Sequence, residues 1–208
     1  MFYIKSIFKL ATFLIIAIAI LSVINSKVTE NIANNKQEYE LNNLSKSLNI
    51  KKSAKKLRLD KRLLSTDQST DLGFDAQKDI IFVSSNNEII ALLIPSKTNH
   101  AYNDKINMTF LMSVEGEILD IKISDHAETT GIVEGVIEKN SEWMSAFFGL
   151  DITDIDSSEW SEFFTSKRFD ALTGATITSK AIKKRIYETI KFYKGNKEKL
   201  LTLEYHGK

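Results

Sequence analysis

The 208-residue sequence contains no cysteine, one proline and only eight glycines. Without cysteine there are no disulfides, thiolate zinc sites or cysteine-ligated iron–sulfur clusters, so any redox chemistry must use another cofactor. The three histidines, His100, His126 and His206, are far apart in no spacing that suits a metal, and no metal site is expected. A surplus of either sign of charge is also missing. The 28 Lys and Arg against 27 Asp and Glu leave +1, and no nucleic-acid partner is expected, because phosphate binding relies on a clear basic surplus. What is present, 43% hydrophobic and 26% charged residues, suits a globular domain plus an appendage. A typical domain takes about 100–150 residues, so a second catalytic domain has no room.

The longest apolar run is L-A-T-F-L-I-I-A-I-A-I-L-S-V-I, from Leu10 to Ile24, preceded by Lys5 and Lys9. A spanning helix needs about 20 mostly apolar residues, a length reached by adding Ile4, Ile7 and Phe8 if Lys9 snorkels to the interface. A cleaved signal peptide is the alternative, but N-S-K-V-T-E after the run lacks the small-x-small cleavage pattern. The expectation is an anchor over residues 1–26, a connector helix and linker over 27–72, and one folded domain over 73–208. Lys5 and Lys9 place the N-terminus in the cytoplasm and the domain outside, although a simple count of downstream basic residues argues the reverse.

From Lys27 to about Leu64 there is no Gly or Pro, and Leu41, Leu44 and Leu48 recur at helical spacing, which predicts a helix. Within it, Lys51 to Arg62 holds seven basic residues in twelve, suited to anionic lipid headgroups or simply to a solvated helix face. Ser65 to Gly73 reads as a loop. Strands are predicted at Ile80 to Val83, after the S-S-N-N turn at Ile89 to Ile94 closed by Pro95, and at Ile106 to Ser113. In the last, Ile106, Met108, Phe110 and Met112 share one face; V-E-G-E then turns the chain, and Leu119, Ile121 and Ile123 resume the alternation, predicting a hairpin. Trp143, Phe147 and Phe148 mark a helical piece before an acidic loop from Asp151 to Glu162, read as a solvated edge or a partner-docking face. Ile182, Ile186 and Ile190 give an amphipathic C-terminal helix. The fold class is α+β, an antiparallel sheet with packed helices behind one N-terminal transmembrane helix.

The stretch R-F-D-A-L-T-G-A-T-I-T-S-K-A-I, Arg168 to Ile182, runs from a loop into that last helix, with Thr178 or Ser179 predicted to cap it. Thr176 then sits just before a helix N-terminus, where free amides and about half a positive charge favour a phosphate. Gly174 permits a close turn and Ala175 keeps bulk from the hydroxyl. Taken alone, such a tetrapeptide is equally a turn and a cap.

The pattern Asp170, Thr173, Gly174, Ala175, Thr176 resembles the flavin-attachment motif of the FMN-binding domains in Rnf-type electron transport complexes and sodium-pumping NADH:quinone reductases. The resemblance implies FMN covalently attached to Thr176 by a phosphoester, transferred from FAD by a flavin transferase that reads Asp170 and Gly174, while Thr173 shapes the turn. A second stretch, H-A-E-T-T-G-I from His126 to Ile132, is similar to the H-x-E-T-P-G-L signature of the Rnf G subunit. It makes His126, Glu128 and Thr129 candidate flavin contacts or, equally, hydrogen-bonded anchors of a loop. Ala101 to Ile123 and the position of Trp143 also resemble that protein; Trp143 is read as a core residue or a flavin neighbour. Thr130, Ile132 and Val133 depart from the signature, as do Ala101 and Asp104 from the usual glycines.

The resemblance implies a single-pass flavoprotein of a bacterial inner membrane, its flavin domain on the periplasmic side. It would relay electrons beside other membrane subunits of an ion-translocating complex, with no catalytic residues of its own. Alternatives are the C subunit of the sodium-pumping quinone reductase, a non-redox membrane-tethered module, and a hydrolase using Thr176 or Ser179 with His126 and Glu128. The last has no nucleophile-elbow motif behind it.

Overall fold

The computed structural model describes residues 13–16, 18, 21, 22, 25, 28, 44, 46–48, 57–129, 133–137, 141–150 and 169–202. Two compact units are present, Met1–Ala54 and Lys55–Lys208. In the first, residues 13–16, 18, 21, 22, 25 and 28 are helical, as are 44, 46 and 47. Phe13, Leu14, Ile15, Ile16, Ile18 and Leu21 are exposed. Among the described residues, no helix is long and apolar enough to cross a membrane. Much of the predicted anchor and connector, the acidic loop from 151 to 162, Thr130 and Ile132 lie outside the described residues.

The second unit is built on an antiparallel sheet of five strands in the order of the sequence: β1 (Leu57–Leu63), β2 (Asp79–Ser85), β3 (Glu88–Thr98), β4 (Ile106–Ser113) and β5 (Ile118–His126). Helix α1 (Thr66–Asp71) follows β1, two short helices α2 (Glu134–Ile137) and α3 (Glu142–Ser145) follow β5, and the long α4 (Thr176–Thr202) packs against β3. Period-2 alternation selects the buried face: Ile106, Met108, Phe110 and Met112 of β4 are all at 1% exposure or less. They meet Ile182, Ile186 and Ile190 of α4 in one core cluster, as the spacing of those isoleucines predicts. Each such side chain buried contributes about 1.5–3 kcal/mol.

Four local predictions are corrected. Leu57–Leu63 is strand β1, although it falls inside the predicted connector helix; it pairs along its whole length with β2, from Leu57 opposite Ser85 to Leu63 opposite Asp79. Two of its basic residues are engaged within the fold: Arg58 bonds Asp60, and Arg62 lies 4.5 Å over the Phe82 ring and donates to the Leu200 carbonyl. The predicted loop from Ser65 to Gly73 contains α1, because Ser65 and Gln68 form a reciprocal capping box whose polar residues pass for loop composition. Gly73 then takes φ +87°, and a Cβ there would meet the Lys97 carbonyl oxygen at 2.0 Å.

Strand β3 does not stop at Pro95 but continues to Thr98. Its pairing with β2 ends at Leu93, and the Lys97 amide on that same edge donates to Leu72, so the edge where Pro95 lacks a hydrogen carries no ladder bond to lose. The β4–β5 hairpin forms as predicted, but its register shifts twice, leaving Leu119 and Ser124 as extra residues. Ile118, at 0% exposure, therefore takes the core place that strict alternation assigns to Leu119.

Polar bonds fix how α4 lies on the sheet. The buried Ser96 and Thr189 hydroxyls meet at 2.8 Å, and Arg185 donates to the Asp71 carbonyl at 3.0 Å. Tyr193, at 2% exposure, donates to the Val114 carbonyl at 2.7 Å. Burial, with Glu115 adding to it, pushes the Tyr193 phenol up to about 12. The folded state thus holds this proton more tightly than the unfolded chain, where a tyrosine titrates near 10. The resulting stability is complete below pH ~10 and is lost as the pH rises toward ~12. Tyr193→Phe is expected to cost about 1–2 kcal/mol at neutral pH and to remove this alkaline component. Denaturant unfolding of both proteins across that pH range checks it, and a constant difference between them would count against the assignment.

Candidate functional site

The start of α4 is set by a tight turn. Leu172 accepts from the Ala175 amide at 2.9 Å, and Gly174 between them adopts φ +85°, a left-handed conformation that a side chain would strain. Ala175, 4% exposed, is packed into the core, and its carbonyl accepts the first helical bond from the Ser179 amide at 2.8 Å. Ala175 is therefore the N-cap and Thr176 the first helical residue. The predicted caps do not cap. Ser179 turns its hydroxyl back to the Ala175 carbonyl at 2.8 Å, and Thr178 donates to Glu128 at 2.7 Å.

Among the described residues no side chain accepts from the amides of Thr176, Ile177 and Thr178, which have no intrahelical partners. These amides and the helix dipole leave a positive pole beside an exposed hydroxyl. The first turn of α4 carries no acidic residue.

The two sequence motifs meet here. Glu128 Oε2 accepts from Thr178 Oγ1 at 2.7 Å, while Oε1 accepts from the Asn103 amide at 3.0 Å. Asn103 Nδ2 in turn donates to Thr129 Oγ1 at 2.9 Å. Glu128 and Thr129 thus tie the loop after β5 and the turn before β4 to the first turn of α4. His126 takes no part in this network among the described residues; it ends β5, exposed, opposite Ile106.

Asp170 and Thr173 are exposed. The Asp170 carbonyl accepts from Trp143 Nε1 at 2.9 Å, which holds the segment leading into the turn. Trp143 itself is core: its ring meets Phe147 edge-on at 4.9 Å, and Phe147 lies 4.8 Å from Phe169. Asp170 and Ala171 also form one wall of a cleft of about 510 Å³ whose other wall is Lys180, Lys183, Lys184 and Tyr187.

Lys183 is buried and donates to the Phe169 carbonyl; burial lowers its pKa, an effect the Asp170 carboxylate partly opposes. Sequence reasoning missed the cleft and Asn103. The helical spacing of Lys180, Lys184 and Tyr187 was a usable signal for the cleft, whereas nothing local joins Asn103 to Glu128.

Glu128→Ala is expected to destabilise the unit by about 1–3 kcal/mol, since it leaves a hydroxyl and an amide without their acceptor. Glu128→Gln, which keeps one carbonyl oxygen, should cost less. Amide exchange by mass spectrometry should quicken at Asn103 and at the first turn of α4; unchanged exchange in the alanine variant would refute the bridging role.

Residues 101–191 match the family described as the FMN-binding domain. Over 200 residues the chain is 25% identical to the G subunit of the ion-translocating oxidoreductase complex of Shewanella baltica, covering 96% of this chain and 93% of that one. The G subunit from Aliivibrio fischeri is 26% identical over 199 residues, 96% and 94% of the two chains. That of Vibrio atlanticus is 28% identical over 134 residues, which is 64% of each chain and so less than two thirds of that relative's length. Residues 101–191 are thus similar to the FMN-binding domain family, and the chain, along nearly its whole length, is similar to the G subunits of ion-translocating oxidoreductase complexes.

Proposed function

We propose that this chain is the FMN-carrying electron relay of an Rnf-like ion-translocating complex, with the flavin held covalently on Thr176. One observation carries the reading: an exposed threonine hydroxyl opens α4 beside amides that no described side chain caps, within a region similar to the FMN-binding domain family. The residues fit the group. Thr176 supplies the ester oxygen, the amides of Ile177 and Thr178 and the helix pole favour the phosphate, and Gly174 holds the turn that presents them. Attachment uses FAD as the co-substrate of a flavin transferase. The Thr176 oxygen bonds to the FMN phosphorus, the pyrophosphate bond breaks, AMP leaves, and the hydroxyl proton passes to a base.

Bound FMN would supply the electron-accepting chemistry that a cysteine-free chain lacks. The chain's own residues position it: Glu128 and Asn103 brace the first turn, and Trp143 fixes Asp170 ahead of it. The names of the relatives support assembly with other subunits of an ion-translocating complex and favour its G subunit over the C subunit of the quinone reductase. In this reading residues 1–26 anchor the chain in a bacterial inner membrane, with the domain from about 73 to 208 on the periplasmic side. The exposed apolar residues Phe13, Leu14, Ile15 and Ile16 support an anchor.

Coexpression with a flavin transferase is expected to add the mass of FMN less water to the wild type and to give in-gel flavin fluorescence, both absent from Thr176→Val. An unmodified wild type would overturn the relay reading in favour of a tethered non-redox module.

A further inference from the structure

Burying a lysine strips water from its ammonium, so a buried lysine calls for a partner that takes the place of that water. Lys183 is 7% exposed and lies seven residues, about two turns, beyond Thr176 on the same flank of α4. Its ammonium reaches back to donate to the Phe169 carbonyl. The next carbonyl, that of Asp170, accepts from Trp143 Nε1 at 2.9 Å. Farther on, Ser179 Oγ accepts from the Leu172 amide at 3.4 Å, and the Leu172 carbonyl accepts from the Ala175 amide at 2.9 Å.

The segment from Phe169 to Ala175 is therefore held through its backbone, by Trp143 of α3 and by two side chains of α4. Its two ends are packed as well, Phe169 at 3% exposure and Ala175 at 4%. Between them Asp170, Thr173 and Gly174 are exposed, and Thr176 follows. A fixed backbone with exposed side chains is a surface that another macromolecule can bind without first ordering it. An enzyme that reaches the Thr176 oxygen has to cover this ground.

We propose, building on the reading that Thr176 receives FMN, that Lys183 is a positioning residue for that transfer: it clamps the Phe169 carbonyl and so keeps the Asp170–Gly174 surface in the shape that the transferase binds. The transfer itself uses FAD: the Thr176 oxygen bonds to the FMN phosphorus, the pyrophosphate bond breaks, AMP leaves, and the hydroxyl proton passes to a base. Lys183, two turns away along α4, takes no part in those bonds. Its effect is on the free chain. Without the clamp only the fraction of molecules with an ordered segment is ready to bind, and the apparent affinity falls by that fraction. Once bound, the segment is ordered in either protein, so turnover at saturation is the same.

The test uses the full-length chain, produced without transferase. Initial flavinylation rates with purified transferase and saturating FAD are followed by in-gel fluorescence and intact mass while the chain concentration is varied. Lys183→Met keeps the stem and removes the donor; it is expected to raise the KM for the chain about tenfold, the effect of re-ordering roughly one backbone residue, with kcat unchanged. Lys183→Arg, which keeps a donor, restores most of the affinity. Lys191→Met, at an exposed position of the same helix, changes neither constant. Equal KM in wild type and Lys183→Met overturns this inference alone, as does a fall in kcat at unchanged KM. Lys183→Leu is measured alongside, with circular dichroism of every variant; loss of the fold in both apolar variants would make Lys183 a residue of the core and overturn the positioning role. A wild type that takes up no flavin overturns the parent reading and this one together.

Discussion

Everything in the second unit depends on the burial of one apolar stripe of α4 against the sheet. Ile182, Ile186, Ile190 and Tyr193, spaced by three and four residues, lie at 5% exposure or less. A helix that buries one stripe must present the rest of its surface, and on α4 the presented residues include Thr176 at the flank of the stripe and Lys180 and Lys184 farther round. The orientation of the candidate site is therefore a by-product of the core. Turning α4 enough to hide Thr176 would expose isoleucines and forfeit about 1.5–3 kcal/mol for each.

Apolar packing alone permits such a helix to slide, and buried polar groups remove that freedom. The Ser96–Thr189 pair, the Arg185 bond to Asp71 and the Tyr193 bond to Val114 are each satisfied at one position of α4 on the sheet. Displacing the helix by a turn would orphan buried donors, at about 1–3 kcal/mol for each group. The same logic reaches the N-terminal end, where Thr178 bonds Glu128 and Ser179 bonds Ala175. Two hydroxyls suited to capping are drawn into tertiary and local bonds, and the amides before them stay available.

Strong periodicity made much of this fold legible in the sequence. The alternation of β4, the isoleucines of α4, the Asn86–Asn87 hairpin turn, with both residues at positive φ, and the α+β class follow from local pattern. What misled were places where local composition and tertiary pairing disagree. Leu57–Leu63 is basic and helix-compatible yet becomes a strand because β2 offers a full ladder. Pro95 resembles a strand end because a sequence does not reveal which edge is unpaired. Leu119 fell out of register through a bulge that no residue type announces. At the site, Thr176, Gly174 and Glu128 were named from motifs, but their relation was not. The hydrogen bond between Glu128 and Thr178 joins residues 50 apart, and only the fold brings them together.

The shape of the site bears on the proposed tether. Among the described residues, the cleft that begins at Lys180, one turn along α4 from Thr176, is open rather than an enclosed cavity. Deep pockets that bury most of a ligand reach high affinity through removed surface, and an open cleft forgoes much of that gain. An uncapped helix pole adds attraction for a phosphate, but it is screened by salt and falls off within a turn. A covalent link changes the balance, since it replaces binding from solution with an effective concentration set by the tether. Under the proposed reading, an exposed threonine at the head of α4 and an open rather than enclosed cleft near it are complementary features. The bond supplies retention, which leaves the ring's surroundings open to exchange electrons with a partner.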